Sequence, residues 1–231
     1  MAAPHASFDV DALVFDAYGT LFDVHAVTTL AETMAPGRGA ALSQLWRTKQ
    51  LEYTWLGSLM TSAVAPRADF AAVTAQALDF AAAALGISLD PRERIRLQGA
   101  YLTLVPFPDV LAALARLAPR PRWILSNGTL AMLEPLVRHT GLDAHLDGVL
   151  SVDAAGVYKP SPRVYQLAVD RLGLPPARIG FVSSNGWDAI GAKACGFTAF
   201  WINRAAAPVD RHGPAPDHVI STLADLPPLL R

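Results

Sequence analysis

The rhythm of apolar and polar positions changes sharply along this chain. An unbroken apolar run, Leu13-Val14-Phe15, comes first and is closed by a single carboxylate, Asp16. Such runs read as central parallel strands, buried on both faces. From His25 to Thr103 no strand-like run occurs, and the residues recur at helical spacing instead. Leu42, Leu45, Trp46, Lys49 and Tyr53 fall near one face of one helix, and Phe70, Val73, Ala77, Phe80 and Ala84 on a face of another. Asp90-Pro91 starts a further helix, with Asp as N-cap and Pro in the first turn. From Asp109 onward strands alternate with amphipathic helices. The strands are predicted at Trp123–Ser126, Gly148–Ser151, Ile179–Ser183 and Thr198–Ile202, and the helices at Asp109–Ala118, Thr129–Thr140, Pro162–Leu172 and Trp187–Cys195.

Repeated strand–helix alternation defines an α/β fold with a doubly wound parallel sheet, to which the Leu13–Phe15 strand must belong. The helical stretch is then an insertion after the first strand. Residues 1–22 and 104–231 are expected to form the α/β core, and 23–103 an all-helical cap subdomain over the sheet's carboxyl edge, with the active cleft between them. The Pro-rich run Pro208–Pro216 reads as a surface loop.

Composition narrows the classes. The chain has 231 residues, 52% of them hydrophobic and 17% charged, enough for one sizeable core. Nineteen basic and twenty acidic residues leave a formal charge of -1, so the basic footprint of a nucleic-acid binder is missing. A small-molecule substrate is the better default. The one cysteine, Cys195, excludes an internal disulfide and fits a reducing, cytoplasmic setting. Met1–Asp9 has neither a cationic start nor an apolar core of a leader, and no apolar run reaches about 18 residues, so no membrane partner is expected. None of His5, His25, His139, His145, His212 or His218 shows metal-ligand spacing.

The strand ends carry the candidate chemistry. Open α/β sheets place ligands outside the carboxyl ends of their strands. There stand Asp16, then Ser126-Asn127, then Ser183-Ser184-Asn185 with Asp188 just inside the next helix; Lys159 lies in a loop ahead of a helix. Each has an ordinary explanation alone: Asp16 as a turn former, Ser126 as a helix cap, Asp188 as a first-turn acid, Lys159 as a solvated charge. Their meeting at one sheet edge is harder to explain that way.

The order of DAYGTLFD, SNG, a lone Lys before Pro, and SSNGWD resembles the haloacid dehalogenase superfamily. Within it, the cap segment Gln44–Trp55 and the run Phe181–Asp188 are similar to the L-2-haloacid dehalogenases, and the resemblance covers almost the whole chain. It implies a metal-free hydrolase with no cofactor, acting on 2-haloacids. Asp16 would attack the halogen-bearing carbon and form an ester, and water would release a 2-hydroxy acid of inverted configuration. Asp188 would be the base for that water, with Ser183 and Asn185 positioning groups around it. Thr20 would support Asp16, and Lys159 would supply the opposite charge that favours its ionised form. Ser126 and the amides after Asp16, at Ala17 and Tyr18, would hold the substrate carboxylate. Arg47 and Asn127 match the family's halide receivers. Tyr18, Leu51, Phe70, Tyr165 and Trp187 would complete the pocket, with the Ala63–Ala68 linker departing from the family pattern near Phe70. The resemblance also implies a homodimer.

Two rivals share the motifs. A magnesium-dependent phosphatase acting on a small phosphate monoester needs a second acid two residues after the nucleophile, where this chain has Tyr18, an acid too weak for the task. It also needs hard oxygen ligands where Ser183, Ser184 and Asn185 stand. A non-catalytic binding relic should have lost the nucleophile or the lysine, and both remain.

Overall fold

The computed structural model describes residues 7–64 and 66–231; His5 with the rest of residues 1–6, and Ala65 of the Ala63–Ala68 linker, lie outside the described residues. The strands are β1 (Ala12–Phe15), β2 (Arg122–Ser126), β3 (Gly148–Ser151), β4 (Ile179–Ser183), β5 (Thr198–Ile202) and β6 (His218–Ile220). They form one parallel sheet in the order β3-β2-β1-β4-β5-β6. Phe15 stands opposite Ile124 on one side and Val182 on the other. The chain order reverses about β1, so the residue after Phe15 emerges at the topological switch point.

Helices α1 (His25–Met34), α2 (Gly39–Met60), α3 (Phe70–Ala84) and α4 (Pro91–Gly99) intervene between β1 and α5 (Val110–Arg116). Helices α6 (Leu130–His139), α7 (Pro162–Leu172) and α8 (Gly186–Ala194) then connect the later strands. The local chemistry explains several starts. Asp90 accepts from the Glu93 amide while Glu93 reaches back to the Asp90 amide, a capping box with Pro91 inside the first turn. Asp69 and Thr129 cap α3 and α6 through their side chains.

β1 is buried at every position, which is why its sequence shows no alternation. Each fully buried Leu, Val or Phe of this kind stabilises the fold by about 1.5–3 kcal/mol. The helical faces differ from the expectation. On α3 the buried positions include Val73, Ala77, Leu78 and Ala81, whereas Phe80 is 41% exposed and Ala84 is exposed. In so alanine-rich a helix several faces have similar hydrophobicity, and spacing alone does not choose among them. On α2 the buried stripe is Leu42, Trp46, Gln50 and Thr54; Lys49 and Tyr53 sit at its edge, where Lys49 Nζ lies 4.5 Å from the Phe80 ring centroid. β6 was not anticipated, because three residues at a sheet edge make neither an apolar run nor a clear alternation.

Candidate active site

Asp16 follows β1 and its amide donates to Val182 O at 2.9 Å, locking the turn onto β4. The bend continues through Gly19, whose φ of +83° is a left-handed conformation costly for other residues. A side chain there would also meet Ser184 Oγ at 3.2 Å. This turn carries Thr20 back under the carboxylate. Thr20 Oγ1 donates to Asp16 Oδ2 at 3.0 Å and accepts the Ser184 amide at 2.8 Å. Asn185 Nδ2 donates to the same Oδ2 at 3.0 Å.

The other carboxylate oxygen faces a cation. Lys159 Nζ lies 3.1 Å from Asp16 Oδ1 and 2.8 Å from Asp188 Oδ2, with the lysine side chain 1% exposed. Burying an ammonium is costly unless it is paired and hydrogen-bonded, and here two carboxylates do both. Burial, the largest influence, pulls the Lys159 pKa down, but Asp16 and Asp188 together override it and leave the group above its ordinary value. Burial pushes Asp188 up, with Lys159 opposing. The lysine loop is held by its own amide, which donates to Asn127 Oδ1 at 3.1 Å. What Asn127 can offer a ligand is therefore its Nδ2 donor.

A small cavity of about 10 Å³ is walled by Asp16, Tyr18, Arg47, Leu51, Phe70, Ser126, Asn127, Lys159, Asn185 and Trp187. That is room for about one water. Ser126 Oγ accepts the Gly128 amide at 3.1 Å, closing the turn after β2. The helical insert supplies Arg47 and Leu51, one turn apart on α2, and Phe70 at the start of α3. Phe70 stacks on Tyr18 with centroids 5.9 Å apart, despite the irregular linker before it. The Tyr18 hydroxyl is buried and has no hydrogen-bond partner among the described residues. Burial drives its pKa far up, so it stays a neutral donor.

Five expected residues, Tyr165, Asp188, Ser183, Thr20 and Ala17, are not among those that line the cavity. Tyr165, expected against the substrate, packs on Phe181 and Phe197 and donates to Asp188 Oδ1 at 2.7 Å. Asp188 is 0% exposed with both oxygens engaged, one by Tyr165 and one by Lys159. Ser183 turns its hydroxyl to the Asn185 amide at 3.1 Å and shapes the start of α8. Ala17 contributes backbone only: its carbonyl accepts the amides of Thr20, Leu21 and Phe22.

Other residues were missed. Ser184, named at the strand end but given no role, is the serine that bonds Thr20. Gln50 accepts from Arg47 Nη1 at 2.6 Å and donates to Thr74 Oγ1 at 2.7 Å, and Thr74 donates to Phe70 O at 2.6 Å. This chain of hydrogen bonds, with no carboxylate in it, ties Arg47 to Phe70 across α2 and α3. Its sequence signal was a glutamine on the Leu42–Trp46 stripe. Tyr101 packs edge-on to Tyr18 and to Trp46.

Among the described residues no three His, Cys, Asp or Glu side chains converge as metal ligands, and the space between Asp16 and Asp188 is filled by the lysine ammonium. None of their helices is long and apolar enough to cross a membrane.

A switch-point aspartate, a buried lysine and a helical insert define a hydrolase architecture, and residues 10–196 match the family model for haloacid dehalogenase-like hydrolases. The chain belongs to that family. It is 44% identical over 220 residues to an (S)-2-haloacid dehalogenase of Pseudomonas putida, covering 94% of this chain and 95% of that protein. A crystal structure titled L-2-haloacid dehalogenase superposes with a TM-score of 0.92 at 44% identity, covering 95% of this chain and 98% of the other. Another, from Xanthobacter autotrophicus with chloropropionic acid covalently bound, gives a TM-score of 0.87 at 42% identity, covering 95% and 98%. Within the larger group, this chain is a member of the L-2-haloacid dehalogenases.

Proposed function

We propose that the protein hydrolyses L-2-haloacids to D-2-hydroxy acids through an ester on Asp16, without a metal ion. The observation that carries this reading is a carboxylate fixed at both oxygens on the wall of a small cavity, with a guanidinium and the apolar side chains of Leu51, Phe70 and Trp187 among the other wall residues. Fixing and partly desolvating a carboxylate makes it a competent nucleophile toward saturated carbon. One Asp16 oxygen displaces halide in line, inverting the Cα configuration. Arg47 and the Asn127 amide receive the halide, and Ser126 with the Ala17 and Tyr18 amides holds the substrate carboxylate. Tyr18, Leu51, Phe70 and Trp187 surround the reacting carbon.

Ester formation removes the Asp16 charge and loosens its hold on Lys159. Water then attacks the ester carbonyl, so the product keeps the inverted centre and the aspartate is regenerated. Asp188 takes the water's proton once Lys159 shifts; its raised pKa makes it a better acceptor than an ordinary carboxylate. Tyr165, Ser183, Ser184 and Thr20 position the charged groups. In this reading residues 23–103 act as a cap over a core of 1–22 and 104–231, in a reducing cytoplasmic setting. Leu56 and Met60 of α2, 41% and 64% exposed, lie one turn apart and suit a homodimer face, which sedimentation tests.

The decisive assay incubates the protein with each enantiomer of 2-chloropropionate in EDTA and titrates chloride. Release from the L enantiomer alone is expected. Silence from both, with phosphatase activity on added magnesium, overturns the reading.

A further inference from the structure

A chamber of about 720 Å³ lies beside the catalytic cavity, and Lys159 and Trp187 stand in the walls of both. Two further cavities, of about 320 and 500 Å³, share no wall residue with the Asp16 site. The chamber's apolar walls are Trp55 and Leu59 of α2, Val157 and Pro160 ahead of α7, and Trp187 of α8. Trp55 and Trp187 meet edge to face with centroids 5.5 Å apart.

The small cavity meets a constraint set by the substrate. A 2-haloacid carries a carboxylate, a halogen and an alkyl group on the reacting carbon, and the first two are matched by Ser126, Arg47 and Asn127. A cavity with room for one water must open for any substrate, and the space next to it that an alkyl chain can take is the chamber that shares Lys159 and Trp187 with it. We infer that the tail of longer 2-haloacids passes Trp187 and lies in the chamber on Trp55 and Leu59. The inference rests on the dehalogenase reading and extends it to a substrate class: 2-haloalkanoates with plain hydrocarbon tails.

Each methylene moved from water onto such walls is worth at most about fourfold in kcat/KM, since the chamber is open on one side. The test compares L-2-bromopropionate, L-2-bromobutanoate and L-2-bromohexanoate on the wild type, Trp55→Ala and Leu59→Ser; Leu59 is 82% exposed and tolerates a polar residue. The wild type is expected to climb with chain length. Both variants are expected to flatten the climb at least fivefold while bromopropionate turnover stays within twofold, which also shows that they fold. A flat or falling wild-type profile, or a climb unchanged in both variants, overturns the chamber assignment. Failure of the wild type on bromopropionate itself defeats the underlying reading instead.

Discussion

The two walls of the catalytic cavity are built on different physics. The sheet wall is ionic: Asp16 and Lys159 line it, Asp188 stands behind them, all three are nearly fully buried, and the lysine holds the two carboxylates at 3.1 and 2.8 Å. The helical wall has one cation and no carboxylate paired with it: Arg47 is held by the neutral Gln50, Gln50 by Thr74, and Phe70 is stacked on Tyr18. Buried charges tolerate little displacement, because each one left alone costs far more than its pairing returns. Neutral bonds and ring contacts are individually weaker and give way more readily. The sheet wall is therefore suited to keep a nucleophile aimed, and the helical wall to open for a substrate that the 10 Å³ cavity does not admit.

Substitutions on the two walls should diverge accordingly. Asp16→Asn is expected to lower halide release by at least about 10⁴-fold while the thermal transition persists, since the nucleophile is lost but the buried bonds to Thr20 and Asn185 are largely retained. Lys159→Met strands two buried carboxylates, and should cost about 3–5 kcal/mol in denaturant unfolding along with activity. Adding Asp188→Asn should recover at least half of that stability and none of the turnover; no recovery would mean that the ion pairs do not govern the sheet wall. Arg47→Ala should lower kcat by about 10²–10³-fold with little change in unfolding, because its partner is neutral and the lost aid falls on halide departure.

The smallest effect is on pH. Lys159 carries a raised pKa, so its contribution is fully present below the ordinary lysine value of 10.5 and is lost only as pH climbs beyond it. Stability and rate should both lack a lysine-linked decline up to about pH 10. A decline in stability near neutrality that vanishes in the Lys159→Met, Asp188→Asn double variant would show that the ammonium is not protected.

The same contrast explains what the sequence revealed. Asp16, Ser126 and Asn185 were legible because parallel strands deliver their final residues to one edge, whatever the details of packing. Lys159 was legible as a motif residue, but its bridge to Asp188 required the loop's path. Asp188 and Tyr165 were expected near the substrate and stand behind the lysine instead, since one turn of α8 carries the carboxyl inward. On the helical side, alanine-rich periodicity placed Phe80 on the buried face of α3 and missed the polar chain through Gln50. β6 was too short to announce itself.

The central claim is that a carboxyl oxygen of the protein, and not water, first bonds the substrate carbon. A single limiting turnover in oxygen-18 water, followed by peptide mass analysis, tests it directly. The account predicts one heavy oxygen in the peptide containing Asp16 and none in the first 2-hydroxy acid released. Heavy oxygen in that first product, with an unlabelled peptide, would contradict it.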